Sequence, residues 1–262
     1  MTLRILISND DGIHAPGLGV LERIAREISD DVWVVAPETE MSGAARALTI
    51  SSPLRMRKVS ERKFAISGTP SDSVVMAVDH VMKDRGPDLV LSGVNNGQNI
   101  AEDVTVSGTI AAAFQGMTLG VPSIALSLAR FAHDRARWRT AEVHAPGIIR
   151  KLLETGWPSD VVVNVNFPDV EAEAVTEIEV TRQGFRDVKQ LLIEERVDLR
   201  GRSYYWFGFR GSKSDPEDGT DLRAVYDGRI SITPLHLQLT HEDSRKTLDA
   251  ALSGPPLVAR TD

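Results

Sequence analysis

Two adjacent carboxylates, Asp10 and Asp11, follow the apolar run Ile5-Leu6-Ile7 and precede Gly12, Pro16 and Gly17. At about 4 Å, two such charges repel by about 1 kcal/mol in water and about 4 kcal/mol at a protein surface. A hard divalent cation reverses that penalty, and oxygen donors suit magnesium, manganese or calcium. The plainer alternative is a helix N-cap aspartate beside a turn aspartate. Two more polar clusters could join the pair. Ser42-Gly43, in the small polar stretch 38–47, reads as an ordinary turn, or as a hydroxyl and a close backbone approach to a ligand. Asn95, Asn96 and Asn99 follow a later apolar run; asparagine carbonyls ligate metals and their amide nitrogens donate to phosphate oxygens. Ser107-Gly108-Thr109 then opens a small-residue helical run, as a plain cap or as an anion site.

Together, Asp10, Asp11, Ser42 and Asn95 make an all-oxygen donor set for one cation, with Asn99, Ser107, Gly108 and Thr109 facing an anion. Such a set disfavours zinc held by histidine or cysteine. Mg2+ keeps coordinated waters, so a bound ion could polarise a phosphoryl oxygen and lower the pKa of a water. That chemistry is phosphomonoester hydrolysis. No Walker-type glycine-lysine loop and no Gly-x-Ser-x-Gly elbow is present, which argues against ATP-driven chemistry and a serine hydrolase. His14 could act as acid or base, or simply bond to backbone at a helix start.

The elements that must position these groups follow from periodicity. A strand at 5–7, an amphipathic helix at 18–28 and a second apolar run at 32–37 form a βαβ unit with parallel strands. Hairpin strands are expected at 48–57 and 63–67, then a helix through Val81 with Thr69 as N-cap, Pro70 at its first position and Asp72 complementing its dipole. Further strands are expected at 87–93, 121–128 and 161–168, with helices ending near Met117 and over 137–155, the latter kinked or broken at Pro146-Gly147. Asn164 and Asn166 share a strand face and suit hydrogen bonding near its end. The pattern is a doubly wound α/β layer of at least five strands, which places ligands at the strands' carboxyl ends.

From about Glu171 the character changes. Strands are expected at 177–181, 203–210 and 229–233, a charged loop at 210–221, a hairpin over 221–235 turning at Asp227-Gly228, a helix at 236–251 and an irregular tail at 253–256. Tyr204-Tyr205-Trp206-Phe207 could stack on a cation or base, or serve hairpin packing or subunit contact. The expected division is 1–170 as the metal- and phosphate-binding core and 171–262 as a hairpin-rich extension of the same unit.

A chain of 262 residues with 42% hydrophobic and 26% charged residues can bury a sizeable core. Its net charge of -7 argues against a nucleic-acid or anionic membrane partner, though a local metal can invert the field in one cleft. Without cysteine there is no disulfide, thiolate site or cysteine nucleophile. Met1 runs almost directly into the first strand, and no apolar run approaches the roughly 20 residues of a membrane span, so a soluble cytoplasmic protein is expected.

Several motifs occur together: Asn9-Asp10-Asp11-Gly12-Ile13-His14-Ala15-Pro16-Gly17, Val35-Ala36-Pro37 followed by Ser42-Gly43, Gly68-Thr69-Pro70-Ser71-Asp72, Ser92-Gly93-Val94-Asn95, Gly97 and Asn99, Asp103-Val104 with Ser107-Gly108-Thr109, and Thr233-Pro234-Leu235. Collinear from residue 3 to about 235, this combination closely resembles the SurE family. The resemblance implies a Rossmann-like core, a C-terminal extension that builds dimers or tetramers, and metal-dependent hydrolysis of nucleoside monophosphates at the 5' or 3' position. It implies one Mg2+ or Mn2+ per subunit on Asp10, Asp11, Ser42 and Asn95, with Asp10 and Asp11 also catalytic. Phosphate contacts would come from Gly43, Asn99, Ser107, Gly108 and Thr109. Arg46, Asn96 and Ile100-Ala101-Glu102 depart from the family pattern without removing a ligand; Arg46 could contact phosphate or cover the cleft. A non-catalytic nucleotide-binding or assembly protein on the same scaffold, or a phosphodiesterase, would use the same residues differently.

Overall fold

The computed structural model describes residues 2–131, 135–186, 191–209 and 215–254. Its spine is a mixed sheet. The amino-terminal half contributes β1 (Arg4–Ser8), β2 (Asp31–Pro37), β3 (Met56–Ser60), β4 (Lys63–Ile66) and β5 (Leu89–Asn96). The later strands are β6 (Ser123–Leu128), β7 (Val161–Phe167), β8 (Ile178–Val180), β9 (Leu191–Val197), β10 (Ser203–Phe209) and β11 (Ile230–His236). Among the described residues the sheet runs β3-β4-β2-β1-β5-β6-β7-β11-β8, while β9 and β10 pair only with each other. β1 is parallel to both β2 and β5. The chain winds outward from β1 in one direction and returns to β5 on its other side. The reversal opens a crevice at the carboxyl ends of β1 and β5, where such sheets bind ligands.

Helices cover both faces: α1 (Pro16–Arg26), α2 (Pro70–Met76), α3 (Gly108–Thr118) and α4 (Trp138–Thr155), with α5 (Asp221–Tyr226) and α6 (Glu242–Leu252) later. Side-chain alternation in β1 divides the core. Ile5 and Ile7 pack with Leu18, Leu21 and Ile24 of α1 and with Ile149 of α4. Leu6 points the other way, toward Val74 of α2 and Ala112 of α3. Each of these β1 side chains is fully buried, worth about 1.5–3 kcal/mol apiece. β1 is thereby fixed from both sides, and the residues after it inherit that position.

Several expectations shift. The strand expected from residue 48 begins only at Met56, because Pro53 lacks an amide hydrogen for a ladder. Helix 137–155 runs unbroken from Trp138 through Pro146. The helix after Thr69 is α2 and then a π-helical turn over Ala77–Val81. The segment expected as one arm of a hairpin at 221–235 is instead α5. Thr220 caps it by accepting from the Arg223 N–H, and Leu222 and Val225 are buried at helical spacing. Asp227 and Gly228 turn the chain, Gly228 at φ +77°, into β11, which runs antiparallel to β7 and parallel to β8. The loop expected at 210–221 and the tail at 253–256 lie partly outside the described residues.

Thr69 and Asp72 form a reciprocal capping box on α2. Asp72 also accepts from the Thr49 N–H at 2.9 Å and its hydroxyl at 2.6 Å, tying down the loop before β3. Asp72→Ala should lower Tm by about 2–8 °C in a thermal melt, the value of a lost cap and loop anchor in a chain of this size.

Candidate active site

Three polar segments leave the carboxyl ends of β1, β2 and β5 and meet over the crevice. Asp10 is 4% exposed and Asp11 partly buried. The 38–47 loop is docked onto them by backbone bonds from Met41 N–H to the Asp10 carbonyl (2.7 Å) and from Ala45 N–H to the Val106 carbonyl (3.2 Å). These bonds bring Ser42 and Gly43, the latter at φ +78°, to the wall of a cavity of about 700 Å3 that also takes in Asp10, Asp11, Asn95, Asn99 and Ser107. Asn95 donates through Nδ2 to the Gly97 carbonyl at 3.0 Å, which leaves its amide oxygen as the group for the cavity. The Ser42 hydroxyl donates to Glu40 at 3.0 Å and keeps its lone pairs.

Burial drives the electrostatics. Desolvation raises the Asp10 pKa, opposed by the Thr109 hydroxyl and the backbone N–H groups of Thr109 and Gly108. Desolvation, then the neighbouring Asp10 charge, pushes Asp11 up to about 6, with the Asn96 N–H at 3.3 Å opposing it. Among the described residues no lysine, arginine or histidine forms a salt bridge with either carboxylate. No group of three or more histidine, aspartate or glutamate side chains converges there either. The donors are two carboxylates completed by a neutral amide oxygen and a hydroxyl. That set fits a hard divalent ion with room for water.

Gly108 and Thr109, expected to face an anion, sit against Asp10. The Thr109 hydroxyl donates to Asp10 and is wholly buried, and a Cβ on Gly108 would fall 2.7 Å from the Asp10 Cβ. The start of α3 thus spends its partial positive charge on the protein's own carboxylate. Ser107 caps α3 by accepting from the Ile110 N–H at 3.1 Å, and its hydroxyl proton stays available to the cavity. Asn99 is held on all sides. Its N–H donates to Asn166, its Nδ2 to Ser127, and its carbonyl accepts from Asn164 and Asn166, all within 3.1 Å. Asn164 and Asn166 therefore do bond near their strand end. One Nδ2 proton of Asn99 remains for a ligand. Arg46 bonds instead to Gln115 and Thr118 on α3. His14 is exposed and is not part of the cavity wall.

The cavity also has two walls the motifs did not announce, Trp138 at the start of α4 and Phe207 in β10, and it takes in Asp103. Asp103 is gripped by Arg186, whose Nη2 donates at 2.6 Å. The SurE family model, described as survival protein SurE, matches residues 5–190, most of the chain. This chain belongs to the SurE family. It is 61% identical over 257 residues to the 5'-nucleotidase SurE of Caulobacter vibrioides strain NA1000, covering 97% of this chain and 98% of that one. To the 5'-nucleotidase SurE of Phenylobacterium zucineum it is 59% identical over 254 residues, covering 97% and 99%. Its fold is that of the SurE protein crystal structure from Aquifex aeolicus, with a TM-score of 0.80 and 36% identity over 95% of this chain and 99% of that one.

In this SurE-family site, Asp11 titrates near 6 in the folded state against 3.8 for an ordinary aspartate. Between those values the folded chain holds a proton that the unfolded chain has lost. Without metal, this group therefore lowers stability as pH rises from about 4 to 6, and the penalty persists above 6. Asp11→Asn should melt about 2–4 °C higher than the parent in EDTA at pH 7.5, and Mn2+ should raise its Tm less than the parent's.

Proposed function

We propose that this chain is a metal-dependent nucleotidase that hydrolyses nucleoside monophosphates to nucleoside and inorganic phosphate. By family it is a phosphoric monoester hydrolase, and the relatives named 5'-nucleotidase SurE support the nucleotide as substrate. The observation that carries the reading is the Asp10-Asp11 pair, drawn into one cavity with amide and hydroxyl oxygens and, among the described residues, with no salt bridge to either carboxylate. One Mg2+ or Mn2+ per subunit would lie on Asp10, Asp11, Ser42 and Asn95. When bound, such an ion polarises a phosphoryl oxygen and lowers the pKa of a water.

The chain's own groups supply position. The Thr109 hydroxyl and the first turn of α3 fix the Asp10 carboxylate and favour its charged form against the desolvation that raises its pKa. The Asn96 N–H does the same for Asp11. The Gly43 backbone, the Ser107 hydroxyl and the remaining Asn99 amide proton orient the phosphate oxygens. Gly108 and Thr109 act one step back, through Asp10. A net charge of -7 and a cavity of about 700 Å3 favour a small substrate over a nucleic acid.

Residues 1–170 carry this chemistry, and 171–262 serve self-association. β9 and β10 expose Ile193, Tyr205 and Trp206, and α6 buries none of its residues in the single chain, so a homodimer or homotetramer would cover them. Among the described residues no helix is long and apolar enough to cross a membrane; the cytoplasm is the proposed location.

Purified protein should release inorganic phosphate from AMP or GMP only with added Mg2+ or Mn2+, and EDTA should stop it. Asp10→Ala and Asp11→Ala should each lower kcat by at least about 100-fold. Nucleotide-induced stabilisation without turnover would favour a binding protein instead. Turnover confined to phosphodiesters would replace the monoesterase reading.

A further inference from the structure

The metal and phosphate chemistry leaves two aromatic side chains of the cavity unused. Trp138 opens α4 and Phe207 lies in β10, yet both form part of the wall that holds Asp10, Asp11 and Asn95. Trp138 is anchored. Its ring packs at the edge of the main core, and a Cβ on Gly17 would come within 3.1 Å of its Cη2. Phe207 is the opposite case, with 70% of its surface exposed on a two-stranded ribbon, opposite Ile193. The cavity, at about 700 Å3, lies within the roughly 300–1,000 Å3 range of small-molecule sites, and orthophosphate would fill only a corner of it.

We propose that Trp138 and Phe207 form the nucleobase subsite, the base stacking on the anchored indole while the phenyl ring covers it from the ribbon. This rests on the nucleotidase reading for the placement of the phosphate. Every base offers a π face, so stacking tolerates base identity and grows with ring area. Of the asparagines that line the cavity, Asn95 and Asn99 are tied to Gly97 and to Ser127 and Asn166, and Asn96 has an exposed side chain and an N–H committed to Asp11. The subsite therefore ranks purines above pyrimidines and separates adenine from guanine poorly. The rigid indole and the exposed phenyl have different roles: the first sets the plane of the base, the second closes over it.

The test compares kcat/KM for AMP, GMP, CMP and ribose 5-phosphate with Mn2+ in the parent, Trp138→Ala, Trp138→Phe and Phe207→Ala. The preference for AMP over ribose 5-phosphate should fall about 5- to 150-fold in each alanine variant, through KM more than kcat, and Trp138→Phe should restore most of it. Solution mass, measured alongside, separates a lost stacking surface from a lost subunit contact at Phe207. Calorimetric titration with adenosine in EDTA gives a reading independent of turnover, and affinity should drop in both alanine variants. A preference left unchanged, or AMP and ribose 5-phosphate falling in parallel, overturns the subsite. Should the parent release phosphate from neither ester, the nucleotidase reading fails, and the adenosine titration alone decides the subsite.

Discussion

Two carboxylates set side by side in one crevice, with no salt bridge to either among the described residues, govern the electrostatics of this site. Burial raises the pKa of both carboxylates, and for Asp11 the neighbouring Asp10 charge adds to it, so ionising the pair is costlier there than in water. The fold could have relieved the pair with a lysine or arginine. It supplies only partial charges: a hydroxyl from Thr109, backbone N–H groups at the start of α3, and the Asn96 N–H. Partial charges hold the carboxylates in place without neutralising them, an arrangement that fits a hard divalent ion.

The topology makes this arrangement available. β1 is clamped by apolar contacts on both faces, so the residues immediately after it have little freedom. The reversal of winding between β1 and β5 sets their two outgoing loops side by side, and the loop after β2 is drawn across by backbone bonds to Asp10 and Val106. Residues distant along the chain, such as Ser42, Asn95 and Ser107, reach one cavity because each lies at or after a strand end or caps a helix on the same edge.

Much of this was legible in the sequence. An abrupt change from Ile5-Leu6-Ile7 to Asp10-Asp11 marks a strand end, and later polar clusters recur after later strands, so the segments that meet over the crevice could be picked out from spacing. What a helix start faces could not be read. Ser107-Gly108-Thr109 has the composition of an anion site, and composition does not distinguish a bound phosphate from the chain's own aspartate. Trp138 was illegible for a different reason, and Phe207 was legible only within an aromatic run for which base stacking was one of several readings. One looks like the first residue of an amphipathic helix and the other like hairpin filling, and only the tertiary fold puts both beside the carboxylates. The 221–235 segment misled because Asp227-Gly228 is a hairpin signal, whereas here it links a short helix to a strand.

Asp221, wholly buried, accepts from three backbone N–H groups, those of Ala101, Gly184 and Leu222. Ala101 stands at φ +53° and follows Asn99 by two residues. A single carboxylate from late in the chain therefore fastens a left-handed backbone position next to the substrate loop. Shortening the polypeptide to its family-matched stretch would leave the N–H groups of Ala101 and Gly184 without their acceptor. The carboxyl-terminal segment is thus a keystone for the sheet edge that carries the cavity.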